Sequence, residues 1–403
     1  MLKKIHVRDV RFGMFIHEIC GSWMDHPFWK KAFLLSANEE LNTLKSCGVQ
    51  EVWIDTEKGL DIESEAVLST SAEANKKVET ELNKIAEESQ GESHLPIHEE
   101  LERARKLQAK SKKAVTSMFQ EARMGNAIKV NEAEPLVDRI NESITRNPEA
   151  FLNLVWLKTK DDYTYMHSIA VCALMIALGK QLGLTGSELK NAGLAGLLHD
   201  VGKMLIPDEV LNKPGKLTDE EFEIIKQHPL KSWEILHGSP DVTDVILDVC
   251  LHHHERVDGT GYPANISGNP LSLFARMGAV CDVYDALTSN RCYKNGWEPA
   301  ETIRKMAEWR DGHFDERVFQ AFVKTIGIYP SGTLVRLKSG RLAIVMEQSD
   351  KSLLTPIVKV FFSTKSNEPI MPEMLNLSRS QESIVSAEDP TQWGFDLKQI
   401  TGF

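Results

Sequence analysis

The stretch GLLHDVGK, residues 196–203, closes an apolar run on a histidine and an aspartate side by side, with a lysine three residues further on. An ionised side chain taken out of water without a partner costs several kcal/mol. A fold that buries this run must therefore bring mutual pairing, a metal ion or a charged ligand to His199, Asp200 and Lys203. The remaining sequence has to contain what supplies it.

The 403 residues suffice for about two or three domains, and a hydrophobic content of 42% supports at least one sizeable core. The longest apolar run, IAVCALMIAL at 169–178, covers half a bilayer and reads as a buried core helix. The opening MLKKIHVRDVRFG has basic residues but no apolar segment behind them, so neither a signal peptide nor a membrane association is expected. Six cysteines are scattered without a C-x-x-C pair, mostly inside apolar stretches, as reduced thiols are; a cytoplasmic location is expected. The net charge of −11 argues against binding to a nucleic-acid polymer. An anionic substrate would need a local basic cluster.

Residues 1–60 combine short β-type runs (KIHV, GMFIHEI, KAFLL, VQEVWID) with one helical segment, NEELNTLKSCG, and read as a small α/β domain, regulatory in role. Residues 61–96 shift to Glu, Ser, Lys and Ala and suit an acidic linker with some helix near 72–88. Residues 97–146 are read as connecting helices, the first with an apolar stripe through Leu101, Ala104, Leu107, Ala114, Val115 and Met118. From 132 to 326 the period is helical, and Thr218-x-x-Glu221 has capping-box spacing ahead of FEIIKQH. Alternation around a turn at Ser339-Gly340 predicts a β-hairpin extension and tail over 330–403.

The helical region holds His167, the pair His199 and Asp200, His228, His253, His254 and Asp282, each near a helix end or on an apolar helix. Imidazole and carboxylate without sulfur form the ligand set of iron, manganese or similar metals rather than of a structural zinc. Asp200 beside His199 is placed to bridge two ions while neighbouring imidazoles cap each one, as two-metal hydrolysis requires. The number of ligands fits two metals better than one.

In this order the residues resemble the HD-GYP subgroup of the HD phosphohydrolases: HDVGK at 199–203, HP at 228–229, HHERVDGTGYP at 253–263 and DVYDALTSNRCYK at 282–294. The first 60 residues, with GMFI, SWMDHPF and VWIDTEKG, are similar to the small domain that often precedes HD-GYP domains in bacteria. The resemblance implies a mainly α protein: an all-helical HD-type catalytic core over 147–329, a small N-terminal α/β domain and a short C-terminal β extension. It implies hydrolysis of cyclic dinucleotides, usually cyclic di-GMP, to a linear dinucleotide and sometimes onward to mononucleotides, by attack of a hydroxide bridging two divalent ions, iron or manganese.

Carried over residue by residue, the resemblance makes His167, His199, Asp200, His228, His253, His254 and Asp282 the metal ligands. Lys203, with Asp200 catalytic in role, is placed to meet a phosphate oxygen, and Arg291 and Lys294 supply the local positive field. Asp285, one turn after Asp282, is expected to orient the bridging water. Gly259, Gly261 and Tyr262 in DGTGYP are expected to shape the guanine pocket. His252, outside the pattern, reads as a core histidine, and His6, His17, His26, His94, His98, His237 and His313 as ordinary surface or packing residues. Some relatives have a glutamate one turn before the first histidine that helps hold a third metal; Tyr163 stands there, so two ions are expected. Asp161 and Asp162 point away from the His167 face. A receptor that binds the nucleotide or a signalling partner without turnover, a phosphodiesterase preferring cyclic GMP-AMP, and a hydrolase of ordinary nucleotides remain as alternatives. A homodimer is left open.

Overall fold

A computed structural model describes residues 1–20, 32–46, 49–62, 67–87, 97–156, 163–213, 215, 217–239, 241–268, 270–289, 296–349, 352–395 and 400. The N-terminal unit is an antiparallel sheet of β1 (Leu2–His6), β2 (Phe15–Ile19), β3 (Phe33–Leu34), β4 (Glu51–Asp55) and β5 (Val67–Thr70) in the order β3-β2-β4-β1-β5, with α1 (Asn38–Ser46) alongside. Ile5 of β1 sits opposite Val52 of β4, and both are fully buried with Ile16, Leu35, Leu44 and Ile54.

Two boundaries differ from the sequence reading. Within the expected linker, β5 adds an edge strand to the sheet and α2 (Ser71–Glu87) follows it. Val78, Leu82 and Ile85, spaced four and three apart, are buried in the helical core, and only the opposite face of α2 carries the Glu and Lys that dominate its composition. The expected connecting helices α3 (Ile97–Arg123) and α4 (Val130–Arg146) are likewise part of that core, through Ala104, Val115, Phe119, Val137, Ile140 and Ile144. Buried Glu100 of α3 accepts from Arg146 at 2.7 and 2.8 Å and from Ser143 at 2.9 Å, which pins the two helices together.

The chain continues through α5 (Pro148–Trp156), α6 (Tyr163–Gln181), α7 (Gly186–Leu198), α8 (Asp208–Leu211), α9 (Asp219–Ile225), α10 (His228–Leu236), α11 (Asp244–His252), α12 (Leu273–Thr288), α13 (Pro299–His313) and α14 (Glu316–Ile326). Helix α6 is apolar on all sides and buried from Met166 to Gly179, so α3, α4, α5, α7, α12 and α14 all pack on it. The capping box forms: Glu221 N donates to Thr218 Oγ1 at 3.2 Å and Thr218 N donates to Glu221 Oε2 at 2.7 Å. Among the described residues no helix is long and apolar enough to cross a membrane.

The C-terminal region exceeds the expected hairpin. Strands β6 (Leu334–Leu337), β7 (Arg341–Glu347), β8 (Ile357–Ser363), β9 (Glu368–Asn376) and β10 (Ile384–Ala387) form an antiparallel sheet ordered β10-β6-β7-β8-β9, followed by α15 (Pro390–Trp393). The turn at Ser339-Gly340 joins β6 to β7 as anticipated, with Val335 opposite Ala343. Both faces are covered, one by a core of Val335, Val345 and Val360, the other by Leu334, Ile344 and Phe362 with Trp393 against them. Strand β9 is mostly exposed and β10 has four residues, so neither offered a buried apolar pattern to detect.

Candidate metal centre

Helices α6, α7, α10, α11 and α12 bring the seven expected ligands together. His167 projects from α6, His199 and Asp200 follow the last turn of α7, His228 opens α10, His253 and His254 follow α11, and Asp282 lies on α12; all are buried. The HD turn is drawn onto α10 because residue 202 has no side chain. A Cβ on Gly202 would lie 2.2 Å from the His228 carbonyl oxygen. Ser232, which the sequence did not single out, locks the contact: its hydroxyl donates to the His199 carbonyl at 2.8 Å and accepts from Gly202 N at 2.8 Å.

The two oxygens of Asp200 face two different groups. Oδ1 lies 3.2 Å from His228 Nε2 and 3.8 Å from His253 Nε2. Oδ2 lies 3.2 Å from His167 Nε2 and 3.4 Å from His199 Nε2. Asp282 Oδ1 completes the second group at 2.9 Å from His167 Nε2, and His254 the first, its Nε2 at 3.1 Å from His228 Nε2. His228, His253 and His254 thus form one potential ion site, and His167, His199 and Asp282 another.

The donor chemistry fits cations. Nδ1 of His199, His228 and His253 donates to the carbonyls of Gly196, Ile225 and Val249 at 2.8, 2.7 and 3.0 Å. A carbonyl can only accept, so each Nε2 is left as a lone pair. The Nε2 lone pairs of His228 and His253 then face each other at 3.3 Å, an arrangement that a positive ion between them stabilises. His167 Nε2, His199 Nε2, Asp200 Oδ1 and Asp282 Oδ2 are buried with no hydrogen-bond partner among the described residues.

Electrostatics divide the groups. Burial, with His199 and His228 adding repulsion, drives the His253 imidazolium down to about 3, and His254 and His228 are also lowered, chiefly by burial. These three imidazoles are neutral and ready to ligate. Burial also opposes charge on His167, but Asp200, Asp282 and Asp285 raise it to about 10. Burial disfavours the Asp200 carboxylate too, and Lys203 and His199 outweigh it, holding the group well below the usual range.

Other expected site residues take different places. Lys203 Nζ sits on Asp200 Oδ2 at 2.5 Å with its side chain 12% exposed, so it neutralises the carboxylate from the rim. Asp285 does not face the ion groups. Its Oδ2 lies 2.5 Å from Nδ1 of His167, on the far side of that ring, because a residue one turn along α12 from Asp282 passes behind the imidazole. Tyr262 stacks on His254 with centroids 4.7 Å apart, and Lys226 lies 6.0 Å from the Tyr262 ring centroid. Gly259 has the expected positive φ of 79°, whereas Gly261 provides space: a Cβ there would lie 2.5 Å from Arg256 N. Glu255, also missed, holds the loop by accepting from Ala264 N at 2.6 Å and Ile266 N at 3.0 Å. Its place inside HHERVDGTGYP was the available signal. Tyr163 stacks on His167 at 5.5 Å, and His252, expected as a core histidine, is half-buried and pairs with Asp248 outside the cluster. Arg291, Lys294, Asp161 and Asp162 lie outside the described residues.

Residues 2–133 match the family model described as a domain of unknown function (DUF3391), and residues 141–318 match the HD domain. The cyclic di-GMP phosphodiesterase PA4108 of Pseudomonas aeruginosa is 52% identical over 98% of this chain and 94% of its own length. The chain belongs to the HD-GYP family of HD-domain phosphohydrolases. The cyclic di-GMP phosphodiesterase response regulator RpfG of Xanthomonas campestris is 42% identical over 36% of this chain and 39% of its own. The 3'3'-cGAMP-specific phosphodiesterase 1 of Vibrio cholerae is 36% identical over 41% of this chain and 38% of its own. The HD-GYP relatives thus include proteins named for two different cyclic dinucleotides.

Proposed function

We propose that this HD-GYP protein hydrolyses cyclic dinucleotides, cyclic di-GMP before cyclic GMP-AMP, at a centre of two divalent cations, iron or manganese. The observation that carries the reading is Asp200, whose two carboxylate oxygens face separate histidine groups, as a ligand shared by two ions must. Two such cations supply Lewis acidity at a phosphoryl oxygen and a water acidic enough to ionise near neutral pH.

The chain's own residues do the rest. His228, His253 and His254 hold one side of the site and His167, His199 and Asp282 the other, with no side chain needed as nucleophile. Lys203, held against Asp200 at the rim, is available to a phosphate oxygen. Arg291 and Lys294 are proposed to supply the remaining positive charge around a dinucleotide that carries two phosphates. Tyr262, fixed by its stack on His254, offers a flat face to a purine at the mouth of the site.

The length of the match to the P. aeruginosa enzyme favours cyclic di-GMP as substrate. The test is parallel hydrolysis of cyclic di-GMP, cyclic GMP-AMP and mononucleotides by metal-loaded protein, with binding of each measured separately. Higher kcat/KM for cyclic di-GMP is expected. Tight binding without product would make the chain a receptor, and preferential cleavage of ordinary nucleotides would overturn the substrate class.

A further inference from the structure

Nδ1 of His167 hydrogen-bonds a carboxylate, where Nδ1 of His199, His228 and His253 meets a backbone carbonyl and Nδ1 of His254 lies 3.7 Å from Asp282 Oδ2. Its counterparts on His199, His228 and His253 rest on carbonyls in the last turn of the helix that precedes each, so those rings are oriented by the backbone. His167 lies in the second turn of α6, where the nearby carbonyls are engaged in the helix ladder. Asp285 takes the carbonyl's place from across the core: its Oδ2 is 2.5 Å from His167 Nδ1, and both residues are fully buried. The carboxylate is itself braced. Ser289, the buried residue that ends α12, donates from Oγ to Asp285 Oδ2 at 3.4 Å and from N to the Asp285 carbonyl at 3.1 Å.

We infer that Asp285 is a positioning residue, one that holds His167 in the Nδ1-protonated tautomer and directs Nε2 at the ion shared with His199, Asp200 and Asp282. The inference rests on the two-cation reading of the site. A histidine ligand whose other nitrogen donates to a carboxylate is fixed in orientation and made more basic, and loss of such a partner weakens metal binding by about 10–100-fold. The effect is confined to one side of the centre. Asp285 meets the ring of His167, a member of the His167, His199 and Asp282 group and not of the His228, His253 and His254 group.

The experiment is a Mn(II) titration of metal-free full-length protein, with free aqueous Mn(II) read by electron paramagnetic resonance, for the parent and for Asp285→Ala and Asp285→Asn. The parent is expected to take up two equivalents. In Asp285→Ala one equivalent should weaken by about 10–100-fold while the other keeps the parent affinity, and Asp285→Asn, which keeps an acceptor of the same shape, should fall between them. Turnover of cyclic di-GMP by either variant should return as Mn(II) is raised, with KM for the dinucleotide unchanged. Should the alanine variant fail to fold, the isosteric asparagine variant carries the comparison alone. Parent-like uptake of both equivalents by the folded variants, or equal weakening of both, overturns the inference. A parent chain that takes up no Mn(II) overturns the two-cation reading instead.

Discussion

The indole nitrogen of Trp53 donates to Glu308 Oε1 at 2.6 Å, across 255 residues of sequence. Trp53 lies on β4 of the N-terminal sheet and Glu308 on α13, and next to this contact Lys305 Nζ sits 2.6 Å from Glu18 Oε2 on β2. Lys4 of β1 reaches Glu308 at 3.9 Å and Glu51 at 2.6 Å. The N-terminal unit is therefore docked on a catalytic-domain helix through a shielded set of opposite charges.

That docking, together with α2, predicts how the chain tolerates shortening. A chain beginning at residue 97 loses Val78, Leu82 and Ile85 from the main core, at about 1.5–3 kcal/mol for each buried side chain, and leaves Lys305 without Glu18. A chain beginning at residue 71 keeps α2. Thermal melting of both against the full protein should rank the shorter chain lowest, with the 71–403 chain clearly above it; equal melting temperatures for the two would mean that α2 contributes nothing.

Asp200→Asn should remove both bound ions and lower hydrolysis by at least about a hundredfold, because one residue contributes an oxygen to each histidine group. Its isosteric side chain should leave the helical circular dichroism spectrum unchanged. Metal analysis of the purified variant is the check. Retention of two ions at the parent affinity would contradict the bridging role.

Tyr163 occupies the turn before His167 and stacks on its ring, where a carboxylate would be needed for a third ion. The linear dinucleotide should therefore build up during a time course before any mononucleotide appears. Tyr163→Glu should bind an additional metal and shorten the lifetime of that intermediate. Chromatography of quenched samples reads both effects, and immediate mononucleotide from the parent would count against a two-ion site.

Glu149 of α5 predicts a pH dependence of stability away from the metal centre. Burial raises its carboxyl to about 7; hydrogen bonds from Ser331 at 2.5 Å and Gln348 N at 2.6 Å oppose the rise, and Glu347 adds to it. The folded chain thus holds this proton more tightly than the unfolded chain, whose ordinary value is near 4.5. The stabilisation is complete below about pH 4.5 and is lost as pH rises to about 7, a change on the order of 1–2 kcal/mol for a partly exposed group. Melting temperatures of the parent relative to Glu149→Gln should fall across that window and level off above it. A constant difference from pH 5 to 8 would show that Glu149 is ionised throughout.

The residues of the proposed metal centre were legible in the sequence because their chemistry is unusual where they stand: histidines and aspartates at the ends of apolar helices demand a partner, and their order matched a known pattern. The direction in which Asp285 points was not legible. Spacing placed it one turn from Asp282, but which side of the His167 ring it meets depends on how α12 crosses α6. Some helix near 72–88 was legible, but its place in the core was not, since Val78, Leu82 and Ile85 among Glu and Lys look like part of a solvated linker. The β6–β7 hairpin was legible from its turn at Ser339-Gly340, but the rest of the C-terminal sheet was not: β9, EPIMPEMLN, is mostly exposed and holds Pro369 and Pro372, so it shows no strand pattern.

Two cations sharing Asp200 are proposed to carry out the hydrolysis. Metal-free protein, prepared anaerobically and titrated with Mn(II) in the presence of cyclic di-GMP, gives the most direct test when initial rate is plotted against equivalents of metal per chain. No turnover is expected without metal, then a rise that levels off at two equivalents, with linear dinucleotide as the first product. Turnover by the metal-free chain, or intact cyclic di-GMP at saturating metal, would contradict it.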